Sequence, residues 1–198
     1  QYAQDVISGK IIACKWVRLA CERHVNDLVY AHERGFVFDV EAAKYVIRFV
    51  ELQRHSKGKW GRGQGELIRL EPWQQFIIWV AFGWRRDDSS RWIQKTADGV
   101  AQDTRGMRRF RVIYEEVARK NGKSTSSAPL GLYLAFADGE PGAEVYSAAT
   151  KRDQARIVHK EAIRMVRKNS GLRKFIAIVK DNLSLEKTAS KYEPLGAD

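Results

Sequence analysis

Hydrophobic residues recur every three or four positions through most of the first hundred residues, a spacing that predicts helices. One helix is predicted over residues 10–34, with Gly35 as its stop. Its inner stripe is predicted to comprise Cys14, Val17, Cys21, Val25 and Leu28. Asp39 can cap a second helix, over residues 40–54. The inner face of that helix is predicted to carry Ala43, Val46, Ile47 and Val50.

Glycine and proline residues mark the boundaries of the elements that are predicted between residues 55 and 104. Four glycines between residues 55 and 65 predict a loop, and residues 66–70 read as a short strand. Pro72 fits the first turn of a third helix. The apolar stripe of this helix is predicted to comprise Trp73, Ile77, Val80 and Trp84. After it we predict a polar turn (85–90), a strand (91–95) and a loop (96–104).

In the second half of the chain, the spacing of hydrophobic residues changes from a helical period to alternation in places. Alternation from Phe110 to Val117 predicts a buried strand. Thr150, with Asp153 three residues later, is the expected start of a helix that ends at residue 168. The other elements predicted here are a helix (123–137), a turn (138–142) and strands (143–149, 175–179 and 183–185). Because strands and helices alternate, we expect an α/β fold with a parallel sheet and crossover helices.

Composition supports a folded chain with a polyanionic partner. Of 198 residues, 44% are hydrophobic, which excludes wholesale disorder. The formal net charge is +11, yet residues 105–124 carry +5, residues 150–180 carry +8, and the remainder sums to −2. Such concentration favours nucleotide phosphates or a nucleic-acid backbone. A solvated helix face remains the alternative for the second stretch.

Several classes of site and location are not expected. No run of roughly 18 apolar residues is present, so we expect no membrane span. The first residues lack the basic and apolar regions of a secretory signal, and without an initial Met the chain is expected to be a trimmed or partial product. Cys14 and Cys21 are expected to be small, buried thiols in a reducing cytosol. The four histidines show no metal-site spacing, so no structural metal is expected.

Residues 117–125 carry the candidate chemistry, reading Val-Ala-Arg-Lys-Asn-Gly-Lys-Ser-Thr. The phosphate-binding pattern G-x-x-x-x-G-K-[ST] matches at Gly122, Lys123 and Ser124, with Val117 in place of the first glycine. Such a loop between strand and helix offers backbone N–H groups and a helix N-terminus to phosphates. Lys123 would reach the β- and γ-phosphates, and Ser124 would ligate Mg²⁺. Thr125 offers a second hydroxyl near the α-phosphate. An ordinary basic loop that caps a helix is the alternative.

Two further groups of residues are candidates for contacts with a nucleotide. Arg119 and Lys120 lie inside the loop, where a cation can approach the γ-phosphate. Arg119 could instead pair with Glu115 or Glu116. Upstream, a glutamine amide in residues 70–76 could both accept from and donate to adenine, with Trp73 or Phe76 nearby. Core packing is the alternative for Trp73, and simple solvation is the alternative for the glutamines.

Three sequence blocks together resemble the large terminase subunits of tailed bacteriophages, the ATPases that drive DNA packaging. They are residues 70–76 (Leu-Glu-Pro-Trp-Gln-Gln-Phe) with Phe82-Gly-Trp84, residues 117–125, and residues 145–155 (Val-Tyr-Ser-Ala-Ala-Thr-Lys-Arg-Asp-Gln-Ala). Residues 5–10 and 20–24 are similar too, so the resemblance runs along nearly the whole chain. It implies a P-loop NTPase fold of the RecA/ASCE type, with a helical N-terminal lobe (1–65) before a partial ATPase domain (66–198).

The resemblance also assigns roles to residues. The phosphate-binding lysine of the family falls on Lys123, its magnesium-ligating hydroxyl on Ser124 and its in-loop arginine on Arg119. The adenine reader falls on Gln74, with Gln75 as the fallback. Lys123 and Arg119 would be the catalytic groups. The expected ATP-binding set is Gln74, Arg119, Lys120, Asn121, Gly122, Lys123, Ser124 and Thr125. The block that couples nucleotide state to DNA or a neighbouring subunit falls on Thr150, Arg152 and Gln154.

The resemblance implies partners and a location as well. ATP and Mg²⁺ are the expected cofactors, and double-stranded DNA is the expected substrate. A portal protein, a small terminase subunit and further copies of the chain in a ring are the expected partners. The expected location is the host cytoplasm, with transient docking on a procapsid and no membrane.

The chain departs from the family after its third predicted strand. Members continue with an apolar strand that ends in Asp-Glu, where the aspartate helps to hold Mg²⁺ and the glutamate activates water. The acids that remain here are Asp181, Glu186, Glu193 and Asp198, and residues 192–198 read as the approach to that strand, cut short. The usual nuclease domain is expected outside this chain. We therefore expect an N-terminal piece of a terminase that hydrolyses ATP poorly or not at all.

Two other functions remain open at this stage. One is another P-loop enzyme, such as a small-molecule kinase or an unrelated helicase, although no lid or acceptor pocket can be located in the sequence. The other is a non-catalytic basic DNA-binding module in which residues 151–174 follow the phosphates.

Overall fold

The computed structural model describes residues 1–196, which fall into two compact units. The first comprises residues 1–47 and 71–115, and the second comprises residues 48–70 and the chain from 116 onward. The chain therefore passes between the units three times, whereas the sequence predicted one boundary, between residues 65 and 66. Whether the units act as separate domains stays a prediction.

The elements follow one another in a mixed order. The helices are α1 (Tyr2–Ile7), α2 (Lys15–Tyr30), α3 (Val40–Glu51), α4 (Pro72–Gly83), α5 (Lys123–Phe136), α6 (Arg152–Lys168) and α7 (Ser170–Arg173). The strands are β1 (Phe36–Phe38), β2 (Trp84–Arg86), β3 (Ile93–Lys95), β4 (Ala101–Asp103), β5 (Glu144–Ala148), β6 (Ala177–Val179), β7 (Asn182–Leu185) and β8 (Ser190–Leu195). Among residues 1–196, no helix combines the length and the apolar character needed to cross a lipid bilayer.

Helix α2 differs from the helix that was predicted over residues 10–34. It begins at Lys15, and a separate helix, α1, precedes it. Cys14 lies before α2 and is exposed. Its buried residues are Cys21, His24 and Asp27, and Leu28 is exposed. The predicted apolar stripe was wrong at both ends because polar side chains with partners can occupy the buried face. The prediction of Gly35 as the stop is confirmed, since it lies at φ +78° after the short 3₁₀ turn Ala31–Arg34.

Asp27 shows how a charge is buried in the first unit. Its carboxylate is 2% exposed and accepts from Arg109 Nη1 at 2.7 Å and from the Arg34 guanidinium. The Arg109 guanidinium also lies over the Phe36 ring, 4.7 Å from its centroid. These contacts satisfy the buried carboxylate, so the cost of removing it from water is offset.

The starts of α3 and α4 confirm the predicted helix signals. Asp39 Oδ1 accepts from the Ala42 backbone N–H at 2.8 Å. Helix α3 ends at Glu51 rather than 54, and its predicted inner residues are buried except for Ile47, which is half-buried. Pro72 is the first residue of α4, and Glu71 and Gln74 form a capping box in front of it. Within α4 the buried residues are Ile78, Val80, Ala81, Phe82 and Gly83. The predicted stripe was correct only at Val80, because Trp73 and Ile77 are half-buried and Trp84 begins β2.

Of the predictions for loops and short strands between residues 55 and 104, some are confirmed and others were wrong. The loop over residues 55–65 is confirmed, with a 3₁₀ turn at Lys59–Gly61. Residues 66–70 form only an isolated bridge, between Arg54 and Leu67. Residues 96–104 were wrongly predicted as a plain loop, since β4 lies there and pairs antiparallel with β3. β1 pairs antiparallel with β2.

The sheet of the second unit has the strand order β5-β8-β7-β6. Only β5 and β8 are parallel; β8 pairs antiparallel with β7, and β7 with β6. The prediction of an α/β fold with a sheet is therefore confirmed, but the expectation of an all-parallel sheet was wrong. β6 and β7 are joined by the two-residue turn 180–181, which is too short for a crossover. The sequence analysis missed β8 as a strand, and Asp198 lies outside the described residues.

The predicted buried strand over residues 110–117 is not formed. Residues 109–118 have no strand structure, and Val112 and Tyr114 are 84% and 85% exposed. The alternating sequence was a correct sign of strand propensity, but a strand also needs a neighbour to satisfy its backbone groups. In the part of the chain that the structure describes, no strand pairs with this segment.

Helices α5 and α6 pack against each other and against β5 and β8. Gly131 lets α5 approach the sheet closely, because a Cβ there would lie 2.8 Å from the Tyr192 ring. Thr150 is not the N-cap of α6 as predicted; Lys151 occupies that position, with no side-chain cap. Asn169 ends α6 and caps α7, its Oδ1 accepting from Gly171 N and Leu172 N.

Candidate nucleotide-binding loop

The loop before α5 is compact and exposed. It turns through two residues in the left-handed region, Lys120 at φ +70° and Gly122 at φ +77°. Gly122 is also the N-cap of α5, where the absence of a side chain leaves the helix end open. Arg119, Lys120 and Lys123 are all exposed, so their three positive charges face solvent around this turn.

The Lys123 side chain closes the loop. Its Nζ donates to the Val117 carbonyl oxygen at 2.8 Å, across six residues. Asn121 Nδ2 makes a longer contact, 3.4 Å, with the Ala118 carbonyl oxygen. The segment is therefore wrapped rather than extended. A phosphate oxygen is a stronger acceptor for an ammonium than a carbonyl, so this contact can be exchanged for one with an anion.

The N-terminus of α5 offers donors to an anion. The first backbone N–H groups of a helix have no acceptor within it, and here no side chain caps them. Together with the helix dipole, such groups attract negative charge. The Ser126 hydroxyl is occupied, since it donates to the Lys123 carbonyl oxygen at 3.0 Å. The hydroxyls of Ser124 and Thr125, both half-buried residues, are the predicted contacts for Mg²⁺ and the α-phosphate, and they stay predictions.

Gln74, the predicted adenine reader, has a structural partner. Its Oε1 accepts from the Glu71 backbone N–H at 3.0 Å, in the capping box of α4. Trp73 is half-buried, and Phe76 packs with Tyr2 at a ring separation of 5.4 Å. Gln74 belongs to the first unit and the loop to the second. Contact of Gln74 or Gln75 with adenine stays a prediction.

Of the acidic residues after the third predicted strand, Asp181 and Glu193 form ion pairs. Asp181 accepts from Arg156 Nη2 at 2.5 Å, a hydrogen bond that lowers the pKa of Asp181. Glu193 Oε1 lies 3.2 Å from Lys191 Nζ, and Glu186 begins a 3₁₀ turn. Over residues 1–196, no three His, Cys, Asp or Glu side chains are grouped so that they could hold a metal ion.

The predicted coupling block lies around the start of α6. Thr150 follows β5, Arg152 is the first residue of the helix, and the Gln154 backbone N–H donates to the Lys151 carbonyl oxygen at 3.0 Å. All three residues are exposed. Their coupling role stays a prediction.

Comparison with known families finds a match that includes this loop. Residues 103–188 match the family described as the ATPase domain of the terminase large subunit, a segment that includes the loop, α5, β5 and α6. This segment of the chain is similar to the terminase ATPase family. The resemblance to large terminase subunits is thereby confirmed for residues 103–188.

A solved structure has a similar fold. It is the large terminase of bacteriophage HK97, which is similar with a TM-score of 0.55 and 22% sequence identity. The match covers 79% of this chain and 27% of that one, so the present chain spans about a quarter of the length of that protein. At this identity the likeness concerns the fold alone. Among curated protein sequences, none matches the chain significantly.

The structure adds one contact that the sequence did not indicate. The acceptor for the Lys123 ammonium is a backbone carbonyl, that of Val117, and backbone acceptors leave no signature in the residue type. The replacement of the first glycine of the P-loop pattern by Val117 removes no hydrogen-bonding group, because valine supplies the same carbonyl.

Proposed function

We propose that this chain is the ATP-binding part of a DNA-packaging motor, in which ATP hydrolysis by the complete protein drives double-stranded DNA into a procapsid. The observation that carries the proposal is the wrapped loop with Lys123 bound across it, directly before the uncapped N-terminus of α5. The terminase ATPase family match over the same residues supports it.

Each loop residue has a part in this proposal. The Lys123 ammonium moves from the Val117 carbonyl oxygen to the β- and γ-phosphates, and the α5 amides hold the phosphate oxygens. Arg119 offsets negative charge as it develops on the γ-phosphoryl group. Ser124 would hold Mg²⁺, which supplies further charge neutralisation when bound. Lys120, Asn121, Gly122 and Thr125 complete the phosphate site, and Gln74 reads the adenine.

Hydrolysis by this chain alone is proposed to be weak. Asp181 and Glu193 are held in ion pairs with Arg156 and Lys191, so neither is a ready base for activating water. We further propose that the complete protein carries a nuclease domain and acts as a ring on a portal protein with a small terminase subunit. It would work in the host cytoplasm, docked on the procapsid.

The Lys123→Ala variant tests the proposal. We expect the affinity for a fluorescent ATP analogue to fall by at least about 10-fold, since a charge-assisted contact contributes roughly 1.5–3 kcal/mol. Lys160→Ala is the matched control, because Lys160 is an exposed lysine of α6 outside the loop. Both variants should keep the wild-type melting temperature and nearly the wild-type affinity for duplex DNA.

One alternative function is favoured by a specific observation, the +8 charge over residues 150–180. If the chain is only a basic DNA-binding module, Lys123→Ala should do no more than reduce the salt dependence of DNA binding by about one phosphate contact. Unchanged binding of the ATP analogue, or no binding by the wild-type chain, would contradict the nucleotide proposal.

A further inference from the structure

The glycine-rich segment over residues 55–65, termed here the basic loop, is held in place by one lysine of α6. Lys168 Nζ donates to three of its backbone carbonyl oxygens, those of His55 at 3.3 Å, Gly61 at 2.7 Å and Gly63 at 3.1 Å. All of these residues belong to the second unit. A single ammonium with three donors thus fixes three points of a segment that would otherwise be highly flexible.

Other side chains fix the ends of the basic loop. Glu161 is buried in α6 and accepts from the Ser56 hydroxyl, and its Oε2 lies 3.4 Å from Lys57 Nζ. Arg54 Nη1 donates to the Gly65 carbonyl oxygen at 2.7 Å. Gly65 lies at φ +78°, and a Cβ there would collide with the His55 carbonyl oxygen. The loop is therefore a built structure rather than a linker.

The outer side of the basic loop presents cations and one aromatic ring. Lys59 and Arg62 are exposed, and Lys59 Nζ lies 4.6 Å from the centroid of the Trp60 ring. Trp60 is itself 49% exposed. No aspartate or glutamate occurs between residues 55 and 65. Arg167, an exposed residue one position before Lys168, adds a further positive charge on α6.

The arrangement of backbone groups points to an anionic partner. Carbonyl oxygens repel phosphate, and three of those in the basic loop are bound to Lys168 instead. The outward groups are then donors and an indole ring, the combination that contacts nucleic-acid backbones. We propose that the basic loop binds the phosphate backbone of double-stranded DNA and that Lys168 is the residue that positions it. The choice of duplex DNA as the polyanion rests on the proposed function.

The direct test is removal of the two exposed charges in the full chain. For Lys59→Gln/Arg62→Gln we expect the affinity for a 30-base-pair duplex at about 100 mM salt to fall by roughly 10-fold or more, and the salt dependence to decrease by about two phosphate contacts. Trp60→Ala, made by itself, should also weaken binding of the duplex. The matched controls are Lys15→Gln and Trp16→Ala, because Lys15 also lies over an exposed tryptophan, at 5.5 Å, outside the basic loop.

The positioning role of Lys168 has its own readout. Lys168→Met removes the ammonium but leaves Lys59 and Arg62 in the chain. We expect the amides of the basic loop that are hydrogen-bonded within it, such as Gly61 N–H to the Gly58 carbonyl, to exchange with solvent deuterium faster. DNA affinity should fall beyond the loss expected for one charge. Lys160→Met, which changes an exposed lysine of the same helix, should leave the exchange rates as in the wild type and lower DNA affinity by no more than one charge does.

Three results would overturn this proposal. They are wild-type DNA affinity in Lys59→Gln/Arg62→Gln, faster exchange in Lys168→Met without loss of DNA affinity, and equally tight binding of an acidic polypeptide with the same dependence on Lys59 and Arg62. None of them bears on ATP binding, which is read with Lys123→Ala. Failure of the DNA surface and failure of the nucleotide site are therefore distinguishable.

Discussion

His159 lies fully buried in the second unit, where its two ring nitrogens have different surroundings. Nε2–H donates to the Tyr192 carbonyl oxygen at 2.9 Å, whereas Nδ1 is buried and lacks a hydrogen-bond partner in residues 1–196. In the first unit, His24 Nδ1 accepts from Trp84 Nε1–H at 3.1 Å, so protonation there would remove the acceptor. Burial lowers the pKa of both histidines below the usual 6.5. Both residues therefore favour the neutral imidazole in the folded state.

The pH dependence of stability follows from these pKa values. Below pH 6.5 the unfolded chain binds protons at His24 and His159 that the folded chain does not, so stability present above pH 6.5 is lost as the pH falls below it. We expect the free energy of unfolding to decrease by at most about 1.4 kcal/mol per pH unit for each histidine. Urea unfolding at a series of pH values between about 7.5 and 5.5 measures this dependence of the free energy of unfolding on pH.

Substitution separates these two histidines from the other ionisable groups. His159→Gln and His24→Gln should each flatten the profile, although each also loses some stability at pH 7.5. The exposed His32 provides the control, since His32→Gln should leave the slope as in the wild type. An unchanged slope in both buried-site variants would show that other groups cause the dependence.

At the scale of secondary-structure elements, the caps decide where the helices begin. Asp39 and the Glu71–Gln74 capping box confirm the sequence signals for α3 and α4. The signal at Thr150 failed, because α6 begins after Lys151 without a side-chain cap. Capping residues are common in loops as well, so the signal is read correctly only where the following residues can pack as a helix.

Gln74→Ala tests whether the cap is the main role of this side chain. Losing the bond to the Glu71 N–H should lower the free energy of unfolding by about 1 kcal/mol. If Gln74 also reads adenine, as proposed, the affinity for an ATP analogue should fall while that for a GTP analogue stays the same. Gln75→Ala is the control within the same helix turn. Loss of ATP affinity in Gln75→Ala alone would transfer the adenine role to Gln75.

At the scale of the whole molecule, the segment before the loop combines positive charge with exposed apolar side chains. The +5 segment over residues 105–124 includes the exposed positions 111–114, which carry Val112, Ile113 and Tyr114. Positions 111–114 come just before the point where the chain passes from the first unit to the second, between residues 115 and 116. Segments without regular structure and with exposed side chains are the usual sites of proteolysis.

Limited chymotrypsin digestion tests this description of the segment. We expect the first cut after Tyr114, which is 85% exposed, well before cuts after the buried Tyr133 and Tyr192. Mass spectrometry of the early fragments identifies the site. Protection of Tyr114 together with early cleavage at Tyr133 would contradict the structure of both regions.

The sequence alone identified the loop, its helix and the resemblance to the terminase ATPase family, because these depend on local rules. A glycine that tolerates a left-handed turn, a lysine and hydroxyls directly after it, and a helix that follows are all encoded within residues 117–136. The starts of α3 and α4 were predictable for the same reason, since each capping side chain and the backbone N–H that donates to it lie three residues apart.

Tertiary structure alone decided the rest, because it depends on partners that are distant in the sequence. Residues 110–117 have the alternation of a strand but no paired neighbour among residues 1–196, whereas β8 pairs with both β5 and β7 without a clear pattern of its own. Asp27 is buried because Arg109, 82 residues away, reaches it. Lys168 holds carbonyls more than 100 residues earlier in the chain. Hydrogen bonds and ion pairs across such separations leave no periodic signal, so only the folded chain shows them.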